Sequence, residues 1–149
     1  MAVAKQHRLR VGRFSEVGRP YLVTIACLDR RHVFDSLASG RCFARAIGAM
    51  DGDAETWCWV AMPDHVHWLM APVGDLNLSR CVQKVKALTT RSLRALGLAE
   101  EVWQRAFHDR ALREKEDLRA MARYVIANPV RAGLVRSVRE WSFWDAVWI

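Results

Sequence analysis

The sequence predicts an α+β domain, a ferredoxin-like antiparallel sheet sandwich with helices packed on it. The segments follow one another as strand, helix, strand, strand, helix, strand, helix, an order typical of such folds. With 149 residues, 52% of them hydrophobic and 26% charged, the chain is long enough to bury a core. No apolar run reaches the roughly 18 residues of a membrane span. We therefore expect one domain over residues 1–149.

The first half of the chain alternates apolar runs with turn residues. Residues 21–28 form an unbroken β-rich run, which predicts a buried strand. Ser36 can cap a helix over residues 36–50. In residues 57–72, two apolar runs flank Pro63-Asp64, which predicts a β-hairpin.

The second half is predicted to be mainly helical. Apolar residues recur at helical spacing from Leu78 to Leu96, with Ser79 as a possible cap and Gly97 as the end. A short edge strand is expected at 102–107. The next helix, over 115–127, should stop at Asn128-Pro129. Aromatic residues in 141–149 favour a packing role for that segment.

The second strand of the hairpin carries His65 and His67. Strand side chains alternate, so both imidazoles should point to one face. Two neighbouring histidines can share a metal ion, although a chance pair, one exposed and one hydrogen-bonded, is also possible. Trp57 and Trp59 are likewise expected to share a face, in the core.

The net charge is +7 and the pI about 9.8, from 23 Lys and Arg against 16 Asp and Glu. Such a balance favours a polyanionic partner, nucleic acid first, although ordinary solubility charge is the alternative. Residues 1–19 are interpreted as a basic arm that orders mainly on a partner. The four cysteines form no Cys-x-x-Cys pair, which favours buried free thiols. The N-terminus has no secretory core segment, so a cytosolic protein is expected.

Tyr124 and Asn128 lie four residues apart on the helix predicted at 115–127, so they share a face. Asn128 offers an oxygen ligand, and Tyr124 offers a phenol that can act as a nucleophile. A helical tyrosine is also a common packing residue, and an asparagine before proline is also a common helix stop.

Together, these motifs resemble the HUH (His-hydrophobic-His) single-tyrosine transposases, the small insertion-sequence type. The resemblance is greatest to the REP-associated tyrosine transposases of bacteria. It rests on five motifs in the same order, and the short basic arm and compact length agree with it. The motifs are Tyr21-Leu-Val-Thr with Arg31-His-Val-Phe34, the segment around His65-Val-His67, Trp103-Gln-Arg-Ala-Phe107, Leu112-Arg113, and Tyr124-Val-Ile-Ala-Asn-Pro-Val-Arg-Ala-Gly-Leu134.

The resemblance implies a DNA endonuclease and strand transferase that cleaves and rejoins single-stranded or hairpin DNA in transposition, recombination or REP element processing. His65 and His67 would bind Mg²⁺ or Mn²⁺, with Asn128 as the third ligand. Tyr124 would attack the scissile phosphate and form a 5′-phosphotyrosine link. The resemblance further implies a cytoplasmic, nucleoid-associated bacterial protein that is a monomer or a homodimer. A dimer leaves open whether Tyr124 meets the histidines of its own chain or of its partner.

DNA contacts are expected from basic side chains and from stacking aromatics. Trp68 or Trp103 are candidates for stacking on bases, with core packing as the alternative. The basic candidates are Lys84, Lys86 and Arg91 on one helix, Arg113 near the site, and Arg8, Arg10 and Arg13 in the arm.

Two alternatives keep the same fold. One is a non-catalytic module that only holds structured nucleic acid, and the other is a metal-dependent phosphodiesterase that uses water. One departure from the family is Arg110, where relatives often carry histidine after Asp109. This departure leaves open whether that position has an auxiliary role. It also leaves open whether His108 substitutes for the missing histidine.

Overall fold

Five antiparallel strands form one sheet, in the order β4-β1-β3-β2-β5. The computed structural model describes residues 15–113 and 117–147. The order β4-β1-β3-β2 is ferredoxin-like and confirms the predicted fold class. In chain order the elements are β1 (Tyr21–Ala26), α1 (Leu37–Gly48), β2 (Ala54–Met62), β3 (His65–Pro72), α2 (Leu78–Ala95), β4 (His108–Ala111), α3 (Leu118–Ile126), α4 (Asn128–Arg131) and β5 (Trp144–Ala146).

The sheet is the middle layer between two sets of helices. On one face, α1 and α2 cover the larger core, which includes Trp68 of β3. On the other face, Ala122 and Val125 of α3 join a smaller cluster with Leu69 of β3. Because side chains alternate along β3, His65 and His67 lie on the face of Leu69 and α3.

Side-chain caps start the two long helices. Ser36 caps α1 as predicted, in a reciprocal capping box with Ser39. The predicted cap of α2 is wrong, because Asn77 and not Ser79 accepts the hydrogen bond from the backbone N–H of Arg80. Ser79 lies inside the first turn, where its side chain cannot cap the helix.

A β-bulge separates the two tryptophans that were expected to share a face. The register between β2 and β3 shifts between Thr56 and Cys58, which leaves Trp57 as the extra residue. Trp57 therefore packs with the α3-side cluster, whereas Trp59 lies in the larger core. The shared-face prediction is wrong because one inserted residue reverses the alternation.

The strand predicted at 102–107 is also misplaced. Only Trp103 forms an isolated bridge there, with Cys27, and the regular strand starts at His108 opposite Thr24. Between these two pairs the chain advances five residues on one side and three on the other. The two extra residues break the ladder before β4 begins.

The C-terminal part differs from its prediction in two ways. Helix α3 ends at Ile126, close to the predicted stop, but α4 resumes the helix after Ala127, with a proline in its first turn. The aromatic segment packs as predicted, and it also adds strand β5 beside β2. Trp141 is anchored there by a hydrogen bond from Nε1 to the carbonyl of Ala61.

Residues 15–19, the last part of the predicted arm, contact the body of the protein, whereas residues 1–14 lie outside the described residues. Ser15 Oγ accepts a hydrogen bond from the N–H of Leu78, and Gly18 N–H donates to Pro72.

All four cysteines are free and buried, as predicted. Burial raises the pKa of the Cys27 and Cys58 thiols to about 12. These thiols are therefore not nucleophiles at neutral pH. Within the described residues, no helix is both long and apolar enough to cross a membrane.

Candidate active site

The imidazoles of His65 and His67 meet edge to face on strand β3. Their Nε2 atoms lie 3.1 Å apart, and the ring planes are 86° from each other. The prediction that the two side chains share a face is confirmed. Two nitrogen atoms at this separation can both bond to one cation, because metal–imidazole bonds are about 2 Å long.

The other ring nitrogen of each histidine has its own partner. His65 Nδ1 lies 2.7 Å from Oδ1 of Asp64, and His67 Nδ1 lies 2.9 Å from Oγ1 of Thr24. Hydrogen bonds of this kind orient metal-binding histidines and select their tautomer. The pair is therefore fixed with both Nε2 atoms directed at a common point.

Arg30 completes the support of Asp64. Its Nε donates to Asp64 Oδ2 at 2.9 Å. Asp29 and Arg30 both have positive φ angles, 56° and 54°, a costly conformation that turns the chain sharply after β1. Burial acts to raise the pKa of Asp64, but hydrogen bonds from His65 and Arg30 outweigh it and lower the pKa. Asp64 is thus an anion at neutral pH.

His67 is held in its neutral form. Burial is the largest cause, and electrostatic interactions with His65, Arg131 and Arg30 add to it, lowering the pKa to about 3. A neutral imidazole has a lone pair for a metal ion, so protons do not compete for this nitrogen near neutral pH.

The partners also imply the tautomers. Asp64 accepts the Nδ1 proton of His65, which leaves a lone pair on Nε2 of that ring. His67 then donates from Nε2 to His65, and the Thr24 hydroxyl donates to Nδ1 of His67. For both Nε2 lone pairs to serve one cation, the His67 proton must move to Nδ1. Thr24 Oγ1 can accept it there, so the donor set fits a bound metal ion.

Two histidines leave room for other ligands. Within the described part of the chain, no group of three or more His, Cys, Asp and Glu side chains could hold a metal ion. An ion at His65 and His67 would therefore need oxygen ligands from amide groups, water or substrate. Open positions of this kind are typical of catalytic metal sites.

Tyr124 and Asn128 lie on either side of the break between α3 and α4. Asp117 caps α3, and Ala122 and Val125 bury its inner face, so Tyr124 projects outward with 61% of its surface exposed. Asn128 Nδ2 donates to the carbonyl of Val125 at 2.8 Å. This bond fixes which way the amide oxygen of Asn128 points.

Arg131 connects these two residues, although the sequence analysis assigned it no role in the site. Its guanidinium lies 3.8 Å from the centre of the Tyr124 ring. Nη2 donates to Oδ1 of Asn128 at 2.8 Å. Val125 of α3 packs in the same cluster as Leu69 of β3, so α3 lies on the face of the sheet that carries the histidine pair. The positive charge of Arg131 also helps to lower the pKa of His67.

The predicted DNA contacts of α2 lie on the far face of the sheet. Lys84 forms an ion pair with Asp53, and Lys86 Nζ donates to the carbonyl of Gln104. Arg91 is exposed. The structure therefore does not bring these three residues to the histidine pair.

The remaining candidates are distributed differently. Arg113 is exposed just after β4, whereas Arg8, Arg10 and Arg13 lie outside the described residues. Trp68 is fully buried, so it cannot stack on a base. Trp103 is half-buried and donates from Nε1 to the carbonyl of Lys86.

His108 lies in line with the candidate site. The register places it opposite Thr24, which is itself opposite His67, so the three residues occupy one row on one face. Its side chain is exposed at the sheet edge. Arg110 lies on the same face, opposite Leu22.

Sequence reasoning missed Thr24, Asp64 and Arg131 as parts of the site. Asp64 could have been found, because it directly precedes His65. Thr24 becomes visible only through the β1–β3 register. The seven-residue spacing from Tyr124 to Arg131, two helical turns, was an available signal for Arg131.

Known proteins resemble this chain in sequence and in structure. A REP-associated tyrosine transposase of Escherichia coli K12 is 35% identical over 95 residues, which cover 62% of this chain and 54% of that protein. The chain spans about half the length of the curated relatives it matches.

Two solved structures share the fold. One is a REP-associated tyrosine transposase bound to a REP hairpin, with a TM-score of 0.70 and 26% identity over 91% of this chain and 81% of that one. The other, from Deinococcus radiodurans R1, has a TM-score of 0.52 at 19% identity, covers 80% of this chain and 96% of that one, and supports the fold alone.

The family described as "Transposase IS200 like" matches residues 21–128, which include the histidine pair, Tyr124 and Asn128. Since this match covers well over half of the sequence, the chain belongs to the IS200-like transposase family.

Proposed function

We propose that this chain cleaves and rejoins single-stranded DNA next to a hairpin, through a covalent link to Tyr124. The observation that carries the proposal is the geometry of His65 and His67, whose Nε2 atoms converge 3.1 Å apart. Helix α3, which carries Tyr124, packs on the same face of the sheet as the histidine pair, and this supports the proposal. A relative of known structure bound to a REP hairpin supports DNA of that shape as the substrate.

The residues that would hold a metal ion are His65, His67 and Asn128. A bound Mg²⁺ or Mn²⁺ would supply charge stabilisation to the phosphoryl oxygens. Asp64 and Thr24 keep the two imidazoles oriented throughout. The protein offers few ligands, and Mg²⁺ and Mn²⁺ prefer oxygen to imidazole nitrogen. Metal binding is therefore expected to be weak until a DNA phosphate adds its own oxygen ligands.

Tyr124 carries the covalent step. Its oxygen attacks the scissile phosphorus and forms a P–O bond, while the bond from phosphorus to the 3′ oxygen breaks. The exposed phenol loses its proton to solvent, and the departing 3′ oxygen takes one up. The products are a 5′-phosphotyrosine and a free 3′ hydroxyl. Attack by the hydroxyl of another DNA end reverses the step and joins strands, so no external energy is needed.

The decisive experiment looks for a protein–DNA adduct. Wild-type protein, Mn²⁺ and oligonucleotides with a hairpin should yield a species that survives denaturation. Tyr124→Phe should abolish the adduct and leave hairpin binding within about twofold. Tyr21 is the other of the two tyrosines in the chain and is buried away from solvent, so Tyr21→Phe is the matched control and should keep the adduct.

The outcomes separate the alternatives. Adducts that persist in Tyr124→Phe would refute the nucleophile. Hairpin binding by wild-type protein without cleavage would indicate a non-catalytic binding module. Cleavage without any adduct would indicate a phosphodiesterase that uses water.

A further inference from the structure

Arg131 commits its guanidinium to the two residues proposed for catalysis. Nη1 donates to the carbonyl oxygen of Tyr124 at 2.6 Å, and Nη2 donates to Oδ1 of Asn128 at 2.8 Å. The same group lies over the phenol ring, 3.8 Å from its centre. One exposed cation thus holds both the backbone and the ring of the nucleophile and the amide of the third ligand.

These contacts occupy the atom that a metal ion would need. The nitrogen of the Asn128 amide donates to Val125, so its oxygen is directed towards Arg131. A divalent cation that approached this oxygen would meet the guanidinium, and like charges repel strongly at short range. Asn128 is therefore unavailable as a metal ligand while Arg131 stays in place.

Among the residues that the structure describes, the partners of Arg131 are all uncharged. Two are a carbonyl and an amide oxygen, and the third is an aromatic ring. A guanidinium bonds more strongly to phosphate, because both groups are charged and two parallel N–H bonds fit the phosphate oxygens. Arg131 is exposed, so a DNA phosphate can reach it.

We propose that Arg131 is a positioning residue that holds Tyr124 and Asn128 at rest and yields to a DNA phosphate, thereby coupling DNA binding to metal binding. The inference rests on the proposed function. When the guanidinium moves to the phosphate, Asn128 Oδ1 becomes free to act as a ligand and the Tyr124 ring loses its cation. Each ligand then strengthens the other by the same factor, since such coupling is reciprocal.

The test measures Mn²⁺ affinity directly, by electron paramagnetic resonance of the free ion, with and without hairpin DNA. All proteins carry Tyr124→Phe, which keeps the aromatic ring and prevents adduct formation. In the reference protein, DNA should tighten Mn²⁺ binding by about 5-fold to 100-fold. With Arg131→Ala added, Mn²⁺ should bind several-fold more tightly without DNA, and the enhancement by DNA should shrink.

Three further variants separate the route from a general charge effect. Arg123→Ala removes an equal charge from an exposed position of α3 and should leave Mn²⁺ affinity unchanged. Combining Asn128→Ala with Arg131→Ala should cancel the increase in Mn²⁺ affinity, because the Asn128 oxygen that Arg131→Ala frees is then absent. Arg131→Lys keeps the positive charge but lacks the planar guanidinium, so its Mn²⁺ affinity should lie between those of the reference protein and Arg131→Ala. This variant also provides a test if the alanine variant does not fold.

Unchanged or weaker Mn²⁺ binding in Arg131→Ala overturns the inference, and so does a gain that survives the loss of Asn128. The adduct assay is separate from this measurement. If wild-type protein forms adducts but Arg131→Ala leaves metal affinity unchanged, only the role of Arg131 fails. If coupling is found but wild-type protein forms no adduct, the proposed strand transfer fails and the coupling stands.

Discussion

The hydroxyl oxygen of Thr24 lies 2.9 Å from Nδ1 of His67, across the pairing of β1 with β3. Through this contact, strand β1 supports the candidate metal ligand on the central strand, β3. It explains how a half-buried, neutral histidine can keep one nitrogen hydrogen-bonded and direct the other towards His65.

Thr24→Val should weaken metal binding without disturbing the fold. Valine matches threonine in shape but cannot accept the Nδ1 proton that His67 must carry when Nε2 binds a cation. We expect Mn²⁺ affinity to fall by about 10-fold, as for other outer partners of metal-binding histidines. Thr56→Val is the control, because it makes the same substitution but removes a hydrogen bond from Trp68 on the other face of the sheet. Equal affinities for the two variants would contradict the role of Thr24.

The stability of the metal-free protein should depend on pH through His67. Burial, aided by the nearby positive charges, lowers its pKa from 6.5 to about 3. Below pH 6.5 the unfolded chain therefore binds a proton that the folded chain excludes down to about pH 3. The stabilisation is complete above pH 6.5 and is lost as the pH falls towards 3, by up to about 1.4 kcal/mol per unit.

Urea unfolding in the presence of a chelator, at pH 7.5, 6 and 5, measures this effect. Replacing His67 with asparagine should flatten the dependence over that range. Asp64, whose pKa is also lowered, should add its own loss only at more acidic pH, below its ordinary value of 3.8. An identical slope in wild type and variant would show that His67 is not the titrating group.

The active site should be assembled within one chain. Arg131 contacts Tyr124, and its positive charge helps to lower the pKa of His67 in the same molecule. A mixture of the His65→Ala and Tyr124→Phe proteins should therefore form no more adduct than either protein alone. Restored adduct formation in the mixture would mean that tyrosine and histidines come from different subunits.

Two glycines of α1 should respond in opposite directions to alanine. Alanine normally stabilises a helix by up to about 1 kcal/mol over glycine. A Cβ at Gly48 meets open space, so Gly48→Ala should raise Tm. A Cβ at Gly40 would overlap the ring of Phe143, so Gly40→Ala should lower stability by about 1 kcal/mol. Thermal unfolding distinguishes the two, and a higher Tm for Gly40→Ala would contradict the close packing.

Local patterns predicted the parts of this protein that depend on neighbours in sequence. The order of elements, the capping of α1 by Ser36 and the shared face of His65 and His67 all follow from spacings of a few residues. The same reasoning misplaced β4 and wrongly put Trp57 and Trp59 on one face of the sheet. In both cases extra residues shift the pairing, between β1 and β4 and between β2 and β3. A strand tolerates such insertions without a distinct local signal.

The sequence by itself determined that this chain carries a histidine pair on a strand and a tyrosine and an asparagine on a later helix. Only the tertiary structure decided what surrounds them. The register of β1 brings Thr24 to His67, and the break at Ala127 brings Arg131 back over Tyr124. The layered fold also puts Lys84 and Lys86 on the opposite face from the site. These relations join residues that are distant in sequence or separated by a break in the helix, so they depend on strand pairing and helix packing, which residue spacing alone does not specify.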